Sequence, residues 1–132
     1  MKIGILTYDL PHDKTQKVLK GLIAKKFKKI KIIFTPFKKY KKKHLPLIKH
    51  RPNQFIGKSA RYFAKKFNLE TTEISRKNAF SGLDYVLVCG SGIIEKNFIK
   101  KNFIINCHPG LIPQTRGLDS FKWAIFNNFK VG

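Results

Sequence analysis

The chain has few of the residues that build disulfide frameworks or metal centres. Its 132 residues include only two cysteines, Cys89 and Cys107, and four histidines. The cysteines lack CxxC spacing and the histidines lack metal-ligand spacing, which argues against a zinc, redox or other metal motif. Both cysteines fall in apolar strand patterns, so we predict reduced thiols in the core of a cytoplasmic protein.

Long apolar runs are also missing from the sequence. No uninterrupted stretch approaches the roughly 20 residues that a membrane helix requires. The N-terminus lacks a charged start followed by an apolar run and a small-residue cleavage site, so we expect no signal peptide. We predict no membrane association, and one domain is the natural count for a chain of this length.

Acidic residues are scarce: seven Asp and Glu stand against 28 Lys and Arg, which gives a formal net charge of +21. Such a charge favours nucleic-acid binding. The excess is nearly all lysine, however, whereas arginine supplies much of the bidentate recognition of bases and phosphate. Lysines are also spread over every predicted helix, as on a solvated face. Specific nucleic-acid binding is therefore disfavoured, while electrostatic attraction of a phosphorylated small substrate is compatible with the charge.

Apolar periodicity predicts strands that alternate with helices. The predicted strands cover residues 2–8, 29–34, 71–74, 84–89 and 103–107, and the predicted helices cover 15–27, 57–67, 93–101 and 118–128. Residues 37–54 contain prolines and the lysine-rich run 38–43, and they predict a long basic loop. The alternation favours a doubly wound, mostly parallel sheet, that is, a Rossmann-like α/β fold.

The glycine motifs of nucleotide-binding proteins are incomplete here. Gly90-Ser91-Gly92 follows a predicted strand, but Glu95 stands where a dinucleotide fingerprint has its third glycine. The first strand has no GxGxxG, and there is no Walker-type loop. The sequence therefore disfavours a nicotinamide cofactor and leaves two interpretations of residues 90–92, a simple turn or a ligand-binding loop.

An amide and an imidazole stand at the end of the last predicted strand. Side chains alternate along a strand, so Asn106 and His108 are expected on the same side, and Pro109 ends the strand. In open α/β sheets ligands bind at this edge. An N–H donor beside a group that titrates near neutrality suits a reaction that develops an oxyanion and moves a proton. A structural histidine and a turn asparagine are the alternative.

The string from Asn106 to Ile125, NCHPGLIPQTRGLDSFKWAI, resembles the signature of the folate-dependent formyltransferase family. The shared pattern is Asn-x-His-Pro, a Leu-Ile/Leu-Pro turn, Arg-Gly and a helix; it is densest over residues 84–130 and weaker towards Met1. The resemblance implies transfer of a formyl group from 10-formyltetrahydrofolate to a substrate amine. Asn106 would donate a hydrogen bond to the oxyanion, and His108 would stabilise charge or transfer a proton.

The same resemblance implies the remaining contacts of the site. The folate would lie beside the loop after the fourth strand, formed by Cys89, Gly90, Ser91, Gly92, Ile93 and Ile94. Pro109, Gly110 and Arg116 would contact the substrate, with Arg116 holding a phosphate or shaping the loop. No metal is implied.

One catalytic residue of the family has no evident counterpart. The family pattern has an Asp a few tens of residues after the His, whereas only Asp119 follows His108 in this sequence. Asp119 begins a predicted helix, so we interpret it as a helix cap. The resemblance therefore implies that residues 1–132 are a partial catalytic domain, incomplete at the C-terminus. Such a fragment could be inactive or unstable because a sheet edge would be unprotected.

The acceptor is expected to be an amino-sugar nucleotide. After the first strand the chain reads LTYDLP, which is neither the Phe-Gly-Thr-Pro-like turn of methionyl-tRNA formyltransferases nor the Gly-rich loop of glycinamide ribonucleotide formyltransferases. Residues 116–123 look closer to nucleotide-sugar formyltransferases. Trp123 is predicted to lie in the core with Leu118, Phe121 and Ile125.

Several alternatives stay open from the sequence alone. They are an enzyme of the methionyl-tRNA or glycinamide ribonucleotide type, a non-catalytic folate-binding relic, and a basic α/β module that binds RNA through residues 38–43. Salt dependence separates the RNA-binding module from the others, because affinity that rests on phosphates falls steeply with salt.

Overall fold

The computed structural model describes residues 1–38, 53–117 and 119–132. The strands are β1 (Ile3–Tyr8), β2 (Ile30–Thr35), β3 (Glu70–Glu73), β4 (Tyr85–Val88) and β5 (Ile104–Ile105). The helices are α1 (Asp13–Ala24), α2 (Ala60–Phe67), α3 (Lys96–Lys101) and α4 (Ser120–Phe126). Most of the predicted basic loop, including residues 39–43, lies outside the described residues. Within those residues no helix has the length and apolar character needed to cross a membrane.

The five strands form one parallel sheet in the order β3-β2-β1-β4-β5. Parallel neighbours need a crossover connection, which α1 provides between β1 and β2, and α2 between β2 and β3. The chain then returns to the other side of β1 to form β4, so the strand order reverses between β1 and β4. This topology confirms the predicted doubly wound, Rossmann-like α/β fold.

The core lies on both faces of the neighbouring strands β1 and β2. One apolar cluster joins Ile5 and Phe34 to Leu19 of α1 and Phe63 of α2, and the other joins Leu6 and Ile33 to residues around Phe80. Each such side chain, once fully buried, contributes about 1.5–3 kcal/mol of transfer free energy. The near-continuous apolar sequences of β1 and β2 are those of strands covered on both faces.

Local sequence signals fix the ends of α2. Ser59 is its N-cap, and the Ser59 hydroxyl accepts a hydrogen bond from the Tyr62 N–H at 3.4 Å. Asn68 closes the helix in the left-handed conformation, which asparagine tolerates better than most residues. The predicted helix over 57–67 is therefore confirmed, but it begins at Ala60, three residues later than predicted, because Ser59 is its N-cap.

The last strand differs from its prediction in length and burial. β5 covers only Ile104–Ile105, and Phe103 before it is 65% exposed. β5 lies at the edge of the described sheet, where side chains lack a neighbouring strand on one side. Cys89 is buried as predicted, but Cys107 is exposed because it follows the end of β5, so its predicted core position is wrong. Neither cysteine forms a disulfide within the described part of the chain.

The chain divides into two compact units, and the division falls between Asn106 and Cys107. The first unit contains the sheet with α1, α2 and α3. The second contains α4 and an antiparallel bridge between Gly110 and Val131. Trp123 of α4 is 45% exposed, so its predicted core position is wrong. The small residues Ser120 and Ala124 are the ones that α4 buries.

Candidate functional site

A cavity of about 540 Å³ lies in the first unit at the carboxyl ends of β1, β4 and β5. It sits where the strand order reverses, which is the general ligand-binding position of open α/β sheets. Five of the six residues that the resemblance assigns to the folate line it: Cys89, Gly90, Ser91, Gly92 and Ile94. Ile93 is 97% exposed and is not among the lining residues. Asn106 also lines the cavity.

The loop after β4 begins tightly packed against β1. The backbone N–H groups of Cys89 and Gly90 both donate to the Leu6 carbonyl oxygen, at 2.9 and 3.1 Å. A Cβ atom on Gly90 would lie 2.8 Å from the ring of Tyr8 and 3.3 Å from that of His12. Only glycine therefore fits at position 90 without moving these rings, and the close approach brings the loop backbone to the cavity wall.

His12 is a functional candidate that the sequence analysis missed. Its ring lines the cavity, and its Nδ1 lies 2.9 Å from the Thr15 hydroxyl, which in turn lies 2.6 Å from the Thr7 hydroxyl. Only 5% of His12 is exposed. Burial lowers the pKa of His12 below its ordinary value, the charge of Lys14 lowers it further, and Asp13 partly offsets both. The imidazole is therefore neutral at neutral pH, and Nε2 is the nitrogen that can meet a ligand.

Four rings form an aromatic wall beside the cavity. Tyr8 meets Phe37 edge-on with ring centroids 5.1 Å apart, and Phe37 meets Phe55 at 5.0 Å. Phe55 in turn contacts His12 at 5.9 Å. Because Phe37 and Phe55 are far from Tyr8 and His12 in sequence, no local pattern could have predicted the wall.

The cavity has a cationic rim. Lys14 lines it, and the lining residues among those described include no carboxylate. The backbone N–H of Asp13, at the start of α1, donates to the Gln54 carbonyl oxygen at 2.9 Å, which fixes Gln54 at the cavity wall. An anionic ligand would therefore meet a favourable potential here.

The second unit holds the other predicted site residues. Nδ1 of His108 lies 3.2 Å from the Gly110 nitrogen and 3.1 Å from the Gly110 carbonyl oxygen, so it can accept from the first or donate to the second according to its tautomer. Gly110 is buried against the Thr115 hydroxyl, which a Cβ atom at position 110 would strike. Arg116 and Pro109 are exposed.

Asp119 stands at the predicted N-cap position of α4, but the predicted capping by its carboxylate is wrong. Its side chain makes no capping hydrogen bond and instead lies 3.9 Å from the ammonium group of Lys122. The structure thus brings Asn106 to the cavity with the loop after β4, while His108, Arg116 and Asp119 belong to the second unit.

Neither the known family models nor the curated proteins give a match to this chain. No cluster of His, Cys, Asp and Glu suited to a metal ion occurs among the residues that the structure describes. The cavity offers an amide N–H, a neutral imidazole, backbone donors and acceptors, and one ammonium group.

Proposed function

We propose that the protein transfers a formyl group from 10-formyltetrahydrofolate to the amine of an amino-sugar nucleotide. One observation carries the proposal: Asn106 and the loop 89–92, which the family resemblance assigns to catalysis and to folate binding, line the same cavity. These segments are separate in sequence and reach the cavity from neighbouring parallel strands, β4 and β5.

The cavity wall suits a flat heterocycle with polar edges. The side chains of Val88, Ile94 and Ile104 supply apolar surface, while the backbone of residues 90–92 can exchange hydrogen bonds with ring nitrogens and oxygens. A pterin needs both kinds of contact, because its faces are apolar and its edges carry donors and acceptors.

The reaction joins the acceptor nitrogen to the formyl carbon and breaks the bond from that carbon to N10 of the folate. The attacked carbonyl oxygen gains negative charge in the tetrahedral intermediate, and the Asn106 side-chain N–H would donate to it. The acceptor nitrogen loses a proton and N10 gains one, for which the His108 imidazole is the proposed relay or stabilising charge. A preorganised oxyanion donor is worth about 3 kcal/mol of activation free energy.

The cationic rim favours a phosphorylated acceptor over a neutral one. Lys14 lies at the cavity with the neutral His12 beside it, so a phosphate meets one positive charge and, in the tautomer protonated at Nε2, a ring N–H donor. An amino-sugar nucleotide would place its diphosphate near Lys14 and its amine near Asn106.

Binding and turnover test the proposal separately. We expect a non-hydrolysable 10-formylfolate analogue to bind the protein in a titration followed by calorimetry. We also expect mass spectrometry to detect an amino-sugar nucleotide that has gained one formyl group after incubation with 10-formyltetrahydrofolate. Absence of binding by the analogue would overturn the proposal, whereas binding without transfer to any amine would identify a non-catalytic folate-binding protein.

A further inference from the structure

A chain of hydrogen bonds holds the His12 ring on the side away from the cavity. Nδ1 of His12 lies 2.9 Å from the Thr15 hydroxyl, which lies 2.6 Å from the Thr7 hydroxyl. The Thr7 hydroxyl in turn donates to the Tyr8 carbonyl oxygen at 3.4 Å. Both threonines are fully buried, so water does not compete for these bonds. The ring is therefore fixed through Nδ1.

The Tyr8 carbonyl oxygen gives this chain of hydrogen bonds its direction. A carbonyl oxygen can only accept, and each hydroxyl has a single proton to donate. When Thr7 donates to the carbonyl, Thr15 must donate to Thr7, and Nδ1 of His12 must donate to Thr15. The opposite direction leaves no proton for the contact between Thr7 and Tyr8. All three contacts are satisfied only when the proton of neutral His12 is on Nδ1.

With the proton on Nδ1, Nε2 of His12 carries a lone pair that a ligand can reach. Nε2 has no hydrogen-bond partner among the described residues. The one fully buried side-chain nitrogen or oxygen without a partner in that part of the chain is the Thr35 hydroxyl, so Nε2 keeps some exposed surface. The adjoining ring atom, Cε1, faces Gly90 at the wall of the first cavity, which the ring lines. The lone pair is therefore open to that cavity.

His12 and Asn106 line the cavity from opposite sides of β4. His12 follows β1 and Asn106 follows β5, and β4 lies between these two strands. Neighbouring strands are about 4.8 Å apart, so the ends of β1 and β5 are separated by about 10 Å. A formyl group and the amine that attacks it fit within this span, with the formyl oxygen at Asn106 and the amine towards His12.

We propose that Nε2 of His12 is the base that takes the proton of the acceptor amine. The amine nitrogen bonds to the formyl carbon, the carbonyl electrons move to the oxygen beside Asn106, and the proton passes from the nitrogen to Nε2. When the carbonyl re-forms, the bond to N10 of the folate breaks. The proton then passes from Nε2 to N10, which returns His12 to its neutral form.

The proposal gives each neighbour of His12 a separate role. Thr15 and Thr7 are positioning residues, because they keep the proton on Nδ1 and the lone pair on the nitrogen that meets the cavity. His12 is then the relay, so His108 supplies stabilising charge. A phosphate of the acceptor meets Lys14 and leaves Nε2 to the amine. This inference rests on the proposed function for the identity of the amine, but the tautomer can be tested without folate.

NMR spectra of the imidazole nitrogens test the tautomer, because protonated and unprotonated ring nitrogens have distinct chemical shifts. The His12 signals are those that disappear in His12→Gln. We expect the proton on Nδ1 in the wild-type protein and in Thr15→Ser, and a mixture of tautomers in Thr15→Val, which lacks the hydroxyl. Thr71→Val, the same change at an exposed position of β3, should leave the proton on Nδ1. A proton on Nε2 in the wild-type protein would overturn the inference.

Turnover tests the proton transfer itself. General bases contribute about 100- to 10,000-fold to the rate, so we expect His12→Gln to lower kcat by about a hundredfold or more with little change in KM. Thr15→Val should lower kcat about tenfold, and Thr15→Ser should recover most of that loss. Thr71→Val should keep wild-type kcat.

The outcomes separate this inference from the proposed function. Wild-type kcat in His12→Gln, or equal kcat in Thr15→Val and Thr15→Ser, would overturn the role of His12 and leave formyl transfer standing. Absence of transfer by the wild-type protein would remove the proposed function and the base with it, whichever tautomer the NMR spectra show.

Discussion

His12 is held neutral by its surroundings, although it is followed directly by charged residues. Its ring is buried against Thr15 and the loop after β4, and the ammonium group of Lys14 adds repulsion to the cost of desolvating an imidazolium. A neutral ring can offer either a donor or an acceptor to a ligand, whereas an imidazolium can only donate. The lowered pKa therefore widens what the cavity can bind at neutral pH.

The same pKa shift predicts how stability depends on pH. The unfolded His12 takes up a proton as pH falls through about 6.5, while the folded state resists it. The contribution of His12 is thus complete above the unfolded pKa and is lost as pH falls from there towards the lowered folded pKa. We expect Tm to fall between about pH 7 and pH 5, and to fall less steeply in His12→Gln. Parallel pH profiles for the two proteins in differential scanning calorimetry would contradict this.

Asn106 and His108 carry the catalytic assignment. In protein with formyl-transfer activity, we expect Asn106→Ala to lower kcat by roughly a hundredfold or more, because the oxyanion loses a donor worth about 3 kcal/mol. His108→Ala should also lose most turnover. Affinity for the 10-formylfolate analogue should largely survive in both variants.

Asn97→Ala is the matched control for this pair, since Asn97 is exposed on α3. It should retain wild-type turnover. Near-wild-type kcat in either Asn106→Ala or His108→Ala would remove the catalytic assignment.

The loop after β4 depends on the absence of one side chain. A methyl group at Gly90 would press on the rings of Tyr8 and His12, and overpacking of this kind costs about 1–3 kcal/mol. We expect Gly90→Ala to lower the free energy of unfolding by that amount and to weaken binding of the folate analogue.

Gly21→Ala is expected to change the free energy of unfolding in the opposite direction. Gly21 lies inside α1, with nothing within 4 Å of an added Cβ, so alanine should raise the free energy of unfolding by about 0.5–1 kcal/mol. Urea denaturation measures both variants. Equal effects of the two substitutions would show that the loop after β4 tolerates a side chain at position 90.

The sequence predicted the strands and helices best where burial is complete. β1 and β2 are covered on both faces, and their apolar runs placed them within one residue of each end. β5 and α4 were predicted less well, because the exposure of Phe103 and Trp123 depends on which elements cover them, and a local pattern does not contain that information.

The sequence likewise predicted some parts of the candidate site and not others. The position of Asn106 at a strand end followed from the sequence, since a local motif marked it. The aromatic wall did not, because Phe37 and Phe55 contact Tyr8 and His12 from distant segments of the chain.

The net charge of +21 attracts polyanions to the protein as a whole. We expect single-stranded RNA to bind at low salt and to lose affinity steeply as salt rises, since such binding rests on counterion release. Affinity for the neutral pterin part of the folate should change little over the same range. A fluorescence titration at several salt concentrations measures both. Tight RNA binding with no folate binding would favour the RNA-binding module.

The place of β1 in the sheet has a consequence for synthesis on the ribosome. Ile3 pairs with Ile30 on one side and with Tyr85 on the other. During synthesis β2 therefore becomes available to pair with β1 well before β4 does. At a synthesis rate of about 5–20 residues per second, several seconds separate the synthesis of β2 from that of β4. During that time the nascent chain presents an unpaired apolar strand, which makes it a natural client for a chaperone that shields hydrophobic segments at the exit tunnel.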